Sequence, residues 1–176
     1  MLYISIIFAP KVYAGTFPGG FPAGTLTYGI GGGSSSIADI AVSQWNGISS
    51  KVKLTPSNAT GPYGLTANII TYFDSHDAPT AGSLGITYPF SSWTGASANL
   101  ASVNDRWVKV VVYQYKNSLF SDSNQKIATA THELGHALSV AHPSNSSIDA
   151  VMQQGLKMSY KLRSYDKNNL ISKWGR

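Results

Sequence analysis

The stretch Thr131–Asn145, THELGHALSVAHPSN, decides how this chain is interpreted. The chain contains four histidines, and three of them lie in this stretch, at positions 132, 136 and 142. Imidazole is the commonest metal ligand among protein side chains. Three imidazoles within so short a segment therefore indicate a metal centre, and the spacing of the histidines decides whether they can meet at one ion.

His132 and His136 have the spacing of two ligands on one helix. Residues four apart lie on the same helical face, one turn above each other. Their ring nitrogens can then share a zinc ion at about 2 Å. Glu133 lies between them and can reach a water on that ion, which makes the segment an H-E-x-x-H arrangement.

His142 can join the other two histidines only if the helix ends. On a straight helix, His142 would lie about 15 Å along the axis from His132. The chain must therefore stop its helix after Leu138 and double back, and Pro143 opposes any continuation. The result is a three-histidine site whose fourth position is open for water.

The stretch resembles the metzincin family of zinc peptidases, whose pattern is H-E-x-x-H-x-x-G-x-x-H. Ser139 stands where the family has its glycine, at the point where the chain turns. A left-handed conformation costs a non-glycine residue roughly 1–2 kcal/mol, whereas structural zinc binding contributes on the order of 10 kcal/mol. The turn is therefore expected to form. Ala150-Val151-Met152 resembles the methionine turn of the family, and this resemblance implies that Met152 forms an apolar floor under the imidazoles.

The same resemblance implies a fold and a domain organisation. It covers most of residues 15–176, and it is nearest to matrixins, whose last helix also begins like Ser164-Tyr165-Asp166. The implied fold is α+β, a single metzincin-like zinc-peptidase domain. It has a twisted, mostly parallel sheet with an antiparallel edge strand, an N-terminal helix, an active-site helix and a C-terminal helix.

The hydrophobic pattern predicts individual elements in the same order. The first helix is expected at 36–49, the active-site helix from a cap within 121–123 to Leu138, and the last helix from Tyr165 with Asp166 as cap. Strands are expected at 25–30, 52–55, 67–73, 86–90 and 106–115. Residues 74–85 and 91–105, which lie between strands, are expected to be loops.

By resemblance, the activity is that of a zinc-dependent endopeptidase acting on protein or peptide substrates. Glu133 would take a proton from water and deliver it to the leaving amine. Gly85, Ile86 and Thr87 correspond to the family's edge strand, which pairs with an extended substrate. The pocket beside the cut would be lined by residues 144–154, with Leu156 and Tyr160.

A second metal ion is a weaker expectation. His76, Asp74 and Asp77 correspond to a matrixin loop that holds a structural ion, so a second zinc or a calcium ion could bind there. The alternative is that these residues form an ordinary solvated loop.

Two other functions stay open. The chain could be a metzincin-fold binding or adhesion module whose catalysis is weak or lost, or a non-peptidase hydrolase that uses the same zinc chemistry. Ser139 is the feature of the motif that favours the binding module, and the intact Glu133 argues against it.

Composition and the first residues indicate where the protein acts. Its 13 lysines and arginines are scattered without a dense basic run, which argues against nucleic-acid binding. The chain has no cysteine, so it has no disulfide and no thiolate zinc ligand. We expect residues 1–14 to be a signal peptide, or otherwise an apolar first strand, because the apolar run from Leu2 to Ala9 is too short to span a bilayer. We therefore expect a secreted, extracellular monomer without stable membrane insertion.

Overall fold

The computed structural model describes residues 15–57, 66–94 and 97–176, so the expected signal peptide at 1–14 lies outside the described residues. The described residues form six strands and three helices. In chain order these are β1 (Thr25–Gly33), α1 (Ser35–Trp45), β2 (Lys53–Pro56), β3 (Ile69–Asp77), β4 (Gly85–Trp93), β5 (Ala98–Leu100), β6 (Lys109–Lys116), α2 (Ser123–Ala137) and α3 (Ser164–Trp174). None of the described helices combines the length and the hydrophobicity that crossing a bilayer requires.

The six strands form one mixed sheet in the order β2-β1-β3-β6-β4-β5. Strand β1 pairs in parallel with β2 and with β3, and β3 pairs in parallel with β6. Strand β4 runs antiparallel to β6, and the short β5 runs antiparallel to β4. This α+β fold with a mostly parallel sheet and an antiparallel edge confirms the predicted fold class.

Side chains of all three helices join one hydrophobic core with one face of the sheet. Within this core, the indole N–H of Trp45 donates to the carbonyl of Thr131 at 2.9 Å and so ties α1 to α2. The core includes these buried apolar residues from helices, strands and the turn at Met152: Ile37, Ala41, Trp45, Ile69, Phe73, Val110, Val112, Ile127, Leu134, Met152 and Leu170. Ile40, on the same helix as Ile37 and Ala41, is 36% exposed.

The helix boundaries follow from side-chain caps. Ser34 accepts a hydrogen bond from the N–H of Ile37, and Asp122 accepts one from that of Gln125, so each occupies the N-cap position. The first helix ends at Trp45 rather than at 49 as predicted. The reason is tertiary: the Asn46 amide exchanges two hydrogen bonds with the backbone of Leu54 in β2, which pulls the chain out of the helix.

The strands differ from prediction where long-range pairing extends them. Strand β1 continues to Gly33, which pairs with Phe73, although the strand was predicted to end at residue 30. Strand β3 continues to Asp77, which pairs with Lys116, in a segment predicted to be a loop. Strand β4 likewise runs on to Trp93, where β5 pairs with it. Neighbouring strands supply hydrogen-bond partners that the local sequence does not reveal.

Candidate metal centre

The helix α2 ends where the spacing of the histidines requires. Ser139 has φ of 65°, and the chain reverses there. Its N–H donates to the carbonyl of His136 at 2.9 Å, and the N–H of Val140 donates to that of Gly135 at 2.9 Å. These two bonds satisfy the last carbonyls of the helix in the pattern of a Schellman motif. A serine thus adopts the left-handed conformation at the position where glycine is usual, and the predicted reversal is confirmed.

The residues 15–21, the N-terminal arm, hold this turn from outside. The N–H of Phe17 donates to the carbonyl of Ser139 at 2.8 Å, and the N–H of Ala141 donates to that of Gly15 at 2.8 Å. The Ser139 hydroxyl donates in turn to the carbonyl of Gly19 at 3.1 Å. Because each net hydrogen bond contributes about 1 kcal/mol, the three bonds are large enough to offset the conformational cost at Ser139.

The reversal brings the three imidazoles together. The Nε2 atom of His142 lies 2.9 Å from that of His132 and 3.0 Å from that of His136. Ligands of a tetrahedral zinc ion, each about 2.0–2.1 Å from the metal, lie about 3.3 Å from one another. The three nitrogens therefore need to spread by only a few tenths of an ångström to hold a metal ion between them.

Hydrogen bonds on the far side of two rings orient them for this role. The Nδ1–H of His132 donates to the carbonyl of Val151 at 2.8 Å, and that of His136 donates to the carbonyl of Val140 at 2.9 Å. A proton on Nδ1 leaves the Nε2 lone pair free for a metal. The donor set, three imidazoles of which two have a fixed second nitrogen, is consistent with zinc.

Burial keeps the histidines in the form that binds metal. It lowers the pKa of His132 to about 4, against the opposing bond to Val151, and the charges of His142 and Lys157 add to the lowering. Burial also lowers the pKa of His136 well below its usual value, with the other two histidines acting in the same direction. Both rings are therefore neutral near pH 7, so a metal does not have to displace a proton from them.

The methionine turn is anchored to α3 by a single carboxylate. Asp166 is fully buried and accepts backbone hydrogen bonds from Val151, Met152 and Arg163 at 3.0, 3.1 and 2.8 Å. The same Val151 supplies the carbonyl that orients His132. Asp166 was predicted to be the cap of α3, but it lies three residues after the N-cap Arg163 and closes a capping box from there.

Met152 is fully buried and packs directly against α2. A Cβ atom added at Gly135 would lie 2.2 Å from the Met152 sulfur and 2.7 Å from the Trp45 ring. The space beside Gly135 is therefore filled by Met152 and Trp45, which explains why the helix carries a glycine in its last turn.

Glu133 lies beside the histidines with its carboxylate held by Thr87. The Thr87 hydroxyl lies 2.8 Å from Oε2 and 2.9 Å from the carbonyl oxygen of Glu133, and these two oxygens share its one proton. Burial raises the pKa of the Glu133 carboxyl to about 7, and the Thr87 bond opposes this shift. A cation at the three histidines would also lower that pKa, so the group can accept a proton near neutral pH.

The histidines, Glu133 and the first half of β4 line one cavity of about 500 Å³. Of the pocket residues predicted at 144–154, the cavity contains Gln154, while Leu156 and Tyr160 are not among its described lining residues. Its walls instead include side chains that no local sequence pattern had indicated: Phe17, Val103, Trp107, Thr129 and Lys157.

Within the described residues, the first half of β4 presents a free edge at this cavity. The carbonyl of Pro89 accepts a hydrogen bond from the N–H of Ala101, on the side of β5. Backbone groups alternate along a strand, so those of Gly85 and Thr87 point to the same outer side. Strand β5 pairs with β4 only from Phe90 onward, which leaves Gly85–Thr87 without a neighbouring strand on that side.

In the part of the chain that the structure describes, no second group of ligands gathers around His76. The Nδ1 atom of His76 bonds the Ser75 hydroxyl, and its ring packs edge-on against Tyr72. The Asp74 carboxylate is paired with Lys126 at 2.9 Å. Among the described residues, a group of three or more ligand side chains that could hold a metal ion is found only at the three clustered histidines.

No protein-family model matches the sequence, and no curated protein is similar enough to match it. The fold, however, is similar to two solved structures of myroilysin, each with a TM-score of 0.55 and 13% sequence identity. The likeness covers 92% of this chain and 98% of the other in one structure, and 96% and 97% in the second. The chain thus shares the fold of these two structures.

Proposed function

We propose that the protein is a secreted zinc-dependent endopeptidase. One observation carries this proposal: three imidazole Nε2 atoms converge at the wall of an open cavity that also contains the Glu133 carboxylate. A group that held metal for structural reasons would have no need of an open cavity and an adjacent buried carboxylate.

His132, His136 and His142 would hold the zinc ion. When bound, zinc supplies Lewis acidity, which lowers the pKa of water toward 7 and polarises a carbonyl group. The protein contributes the orientation of the ligands, through the carbonyls of Val151 and Val140. It also contributes a cavity in which a substrate can displace bulk water.

Glu133 is proposed as the general base. Thr87 holds one carboxylate oxygen, Oε2, so the other oxygen is available to take a proton from water. The same carboxyl then carries the proton to the amine that leaves when the peptide bond breaks. Burial raises the pKa of this carboxyl and a cation at the histidines would lower it, so both effects set the pH at which the group exchanges its proton.

The substrate is proposed to bind as an additional strand. The outward N–H and C=O groups of Gly85 and Thr87 can pair with the backbone of an extended peptide lying along the cavity. Such pairing recognises any peptide backbone, which suits an endopeptidase with protein or peptide substrates. We further propose that the enzyme acts outside the cell as a monomer, without nucleic acid or membrane partners.

The test compares the wild type with Glu133→Ala for metal content and casein cleavage. We expect one zinc per chain in both proteins, because Glu133 is not a ligand, and cleavage by the wild type alone. Thermal unfolding with and without zinc establishes that the variant is folded. Zinc-loaded wild type that cleaves none of several protein substrates would instead support the binding or adhesion module, and cleavage retained by Glu133→Ala would refute the proposed base.

A further inference from the structure

The cavity has two chemically different ends. At the His136 end, Phe17 stacks on the imidazole of His136 and packs edge-on against Trp107, with ring centroids 6.2 Å apart. At the His132 end, the wall is formed by α2 one turn before His132 and by the segment that follows the methionine turn. The residues there are small or polar apart from a single long side chain: Ala128, Thr129, Gln154, Gly155 and Lys157.

Lys157 is the feature that sets this end apart. Among the described residues that line the cavity, no other lysine and no arginine is present. The side chain is half-buried, and its charge acts on His132. Lys157 lines the cavity together with Gln154 and Gly155, its near neighbours in the segment after the methionine turn.

This ammonium group has no carboxylate partner in the cavity wall. The two ion pairs found in the described part of the chain are Lys126–Asp74 and Arg163–Asp149, and neither involves Lys157. The carboxylate that lines the cavity is Glu133, which is held by Thr87. An unpaired cation in a concave wall attracts an anionic ligand group more strongly than a cation on an open surface does.

We propose that Lys157 is a specificity-determining residue that selects substrates carrying an aspartate or glutamate side chain close to the bond to be cut. The inference rests on the proposed peptidase function and adds the substrate class. An acidic side chain at the His132 end pairs with Lys157, while the aromatic end beside His136 accepts an apolar residue on the opposite side of the cut.

Binding and cleavage are measured separately. Zinc-loaded Glu133→Gln protein is titrated with fluorescent eight-residue peptides in which one position at a time carries Glu, Gln or Lys. The peptides are acetylated and amidated, so that a chain terminus cannot supply the carboxylate. We expect one or two adjacent positions at which Glu binds about 3- to 10-fold more tightly than Gln, with the ratio shrinking as salt is added. The same ratio should appear in kcat/KM of the wild type.

Variants on the same segment assign the effect to one side chain. Lys157→Gln should bring the Glu/Gln ratio to about one, and Lys157→Glu should make the Lys peptide the better ligand. Lys161→Gln is the matched control, because its ammonium lies over the Tyr160 ring and does not line the cavity, and it should keep the wild-type ratio.

The outcomes distinguish the two proposals. Equal affinity for Glu and Gln peptides at every position, or an unchanged ratio in Lys157→Gln, would overturn the role of Lys157, even if the wild type cleaves peptides. A Glu preference that Lys157→Gln removes, found together with zinc-loaded wild type that cleaves nothing, would retain the role of Lys157 and refute the peptidase function.

Discussion

The ring of Phe17 stacks on the imidazole of His136, with centroids 5.6 Å apart and planes inclined by 25°. Phe17 belongs to the N-terminal arm, whose backbone also holds the turn at Ser139. One short segment therefore supports both a metal-site ring and the reversal that brings His142 to that ring. The arm is itself fixed by Lys173 of α3, whose ammonium donates to the carbonyls of Phe17, Pro18 and Gly19 at 2.7, 3.0 and 2.7 Å.

Lys173 does not line the cavity, and replacing it should loosen the arm. In Lys173→Met three carbonyls lose a charged donor, so we expect about 2 kcal/mol less stability and faster amide exchange at Ala141, whose N–H bonds Gly15. Hydrogen exchange and chemical unfolding measure both effects. Lys167→Met, at an exposed position of the same helix, is the control and should change neither. Unchanged exchange at Ala141 in Lys173→Met would contradict the clamping role of Lys173.

Two substitutions at Ser139 separate the energy of backbone strain from that of the side-chain hydrogen bond. Ser139→Ala keeps the left-handed conformation but loses the bond to Gly19, whereas Ser139→Gly loses the bond and relieves the strain. We therefore expect the glycine variant to be more stable than the alanine variant by about 1–2 kcal/mol. Urea unfolding of the two variants gives this difference directly. Equal stabilities would mean that the turn stores no strain at Ser139.

The carboxylate of Asp166 should contribute to the metal site through the methionine turn. Asp166→Asn replaces one acceptor oxygen with an NH₂ donor that faces backbone N–H donors. This change should cost about 3 kcal/mol of stability. It should also weaken zinc binding, because Val151 orients His132. Competition with a zinc chelator measures the affinity. Asp149→Asn is the control: its side chain is 83% exposed and pairs with Arg163 at the surface, so it should change stability by less than about 0.5 kcal/mol. An unchanged zinc affinity of Asp166→Asn would refute the proposed link between Asp166 and His132.

Gly85 should be required for the position of the proposed base. A Cβ atom there would lie 2.7 Å from Cγ of Glu133 and 2.7 Å from the carbonyl oxygen of Tyr113. The backbone of β6 cannot give way, so residue 85 of β4 and the Glu133 side chain must both shift. We expect Gly85→Ala to retain zinc while kcat/KM falls on the order of 100-fold, since displacing a catalytic group by about 1 Å costs that much. Full activity with normal zinc content would show that Glu133 tolerates the displacement.

The metal-free protein should lose stability in mild acid. The pKa of His132 is about 4 in the folded protein and 6.5 ordinarily, so between these values the unfolded chain binds a proton that the folded chain does not. Stability therefore falls as the pH drops from about 6.5 to 4, by on the order of 3 kcal/mol from His132 alone. Urea unfolding of chelator-treated protein across this range tests it, with His132→Asn as a control that should show a smaller fall. A flat profile in both proteins would refute the buried neutral state of His132.

The sequence by itself determined the local chemistry of this site. The spacing of His132, Glu133 and His136 places them by helical geometry alone, and His142 then forces the helix to end near Leu138. The sheet class and the order of the elements followed from the pattern of hydrophobic residues and from the family resemblance. These features depend on neighbours within a few residues, or on the periodic spacing of hydrophobic residues along the chain.

Tertiary structure decided what the local sequence leaves open. Asn46 ends α1 because it meets Leu54, and β3 reaches Asp77 because Lys116 lies opposite. Thr87, expected to pair with substrate, also holds Glu133 across 46 residues of chain. Lys157 lines the cavity only because the chain after the methionine turn folds back towards α2. A side chain's partners across the fold are set by the packing of whole elements, and a single sequence carries no local signal of that packing.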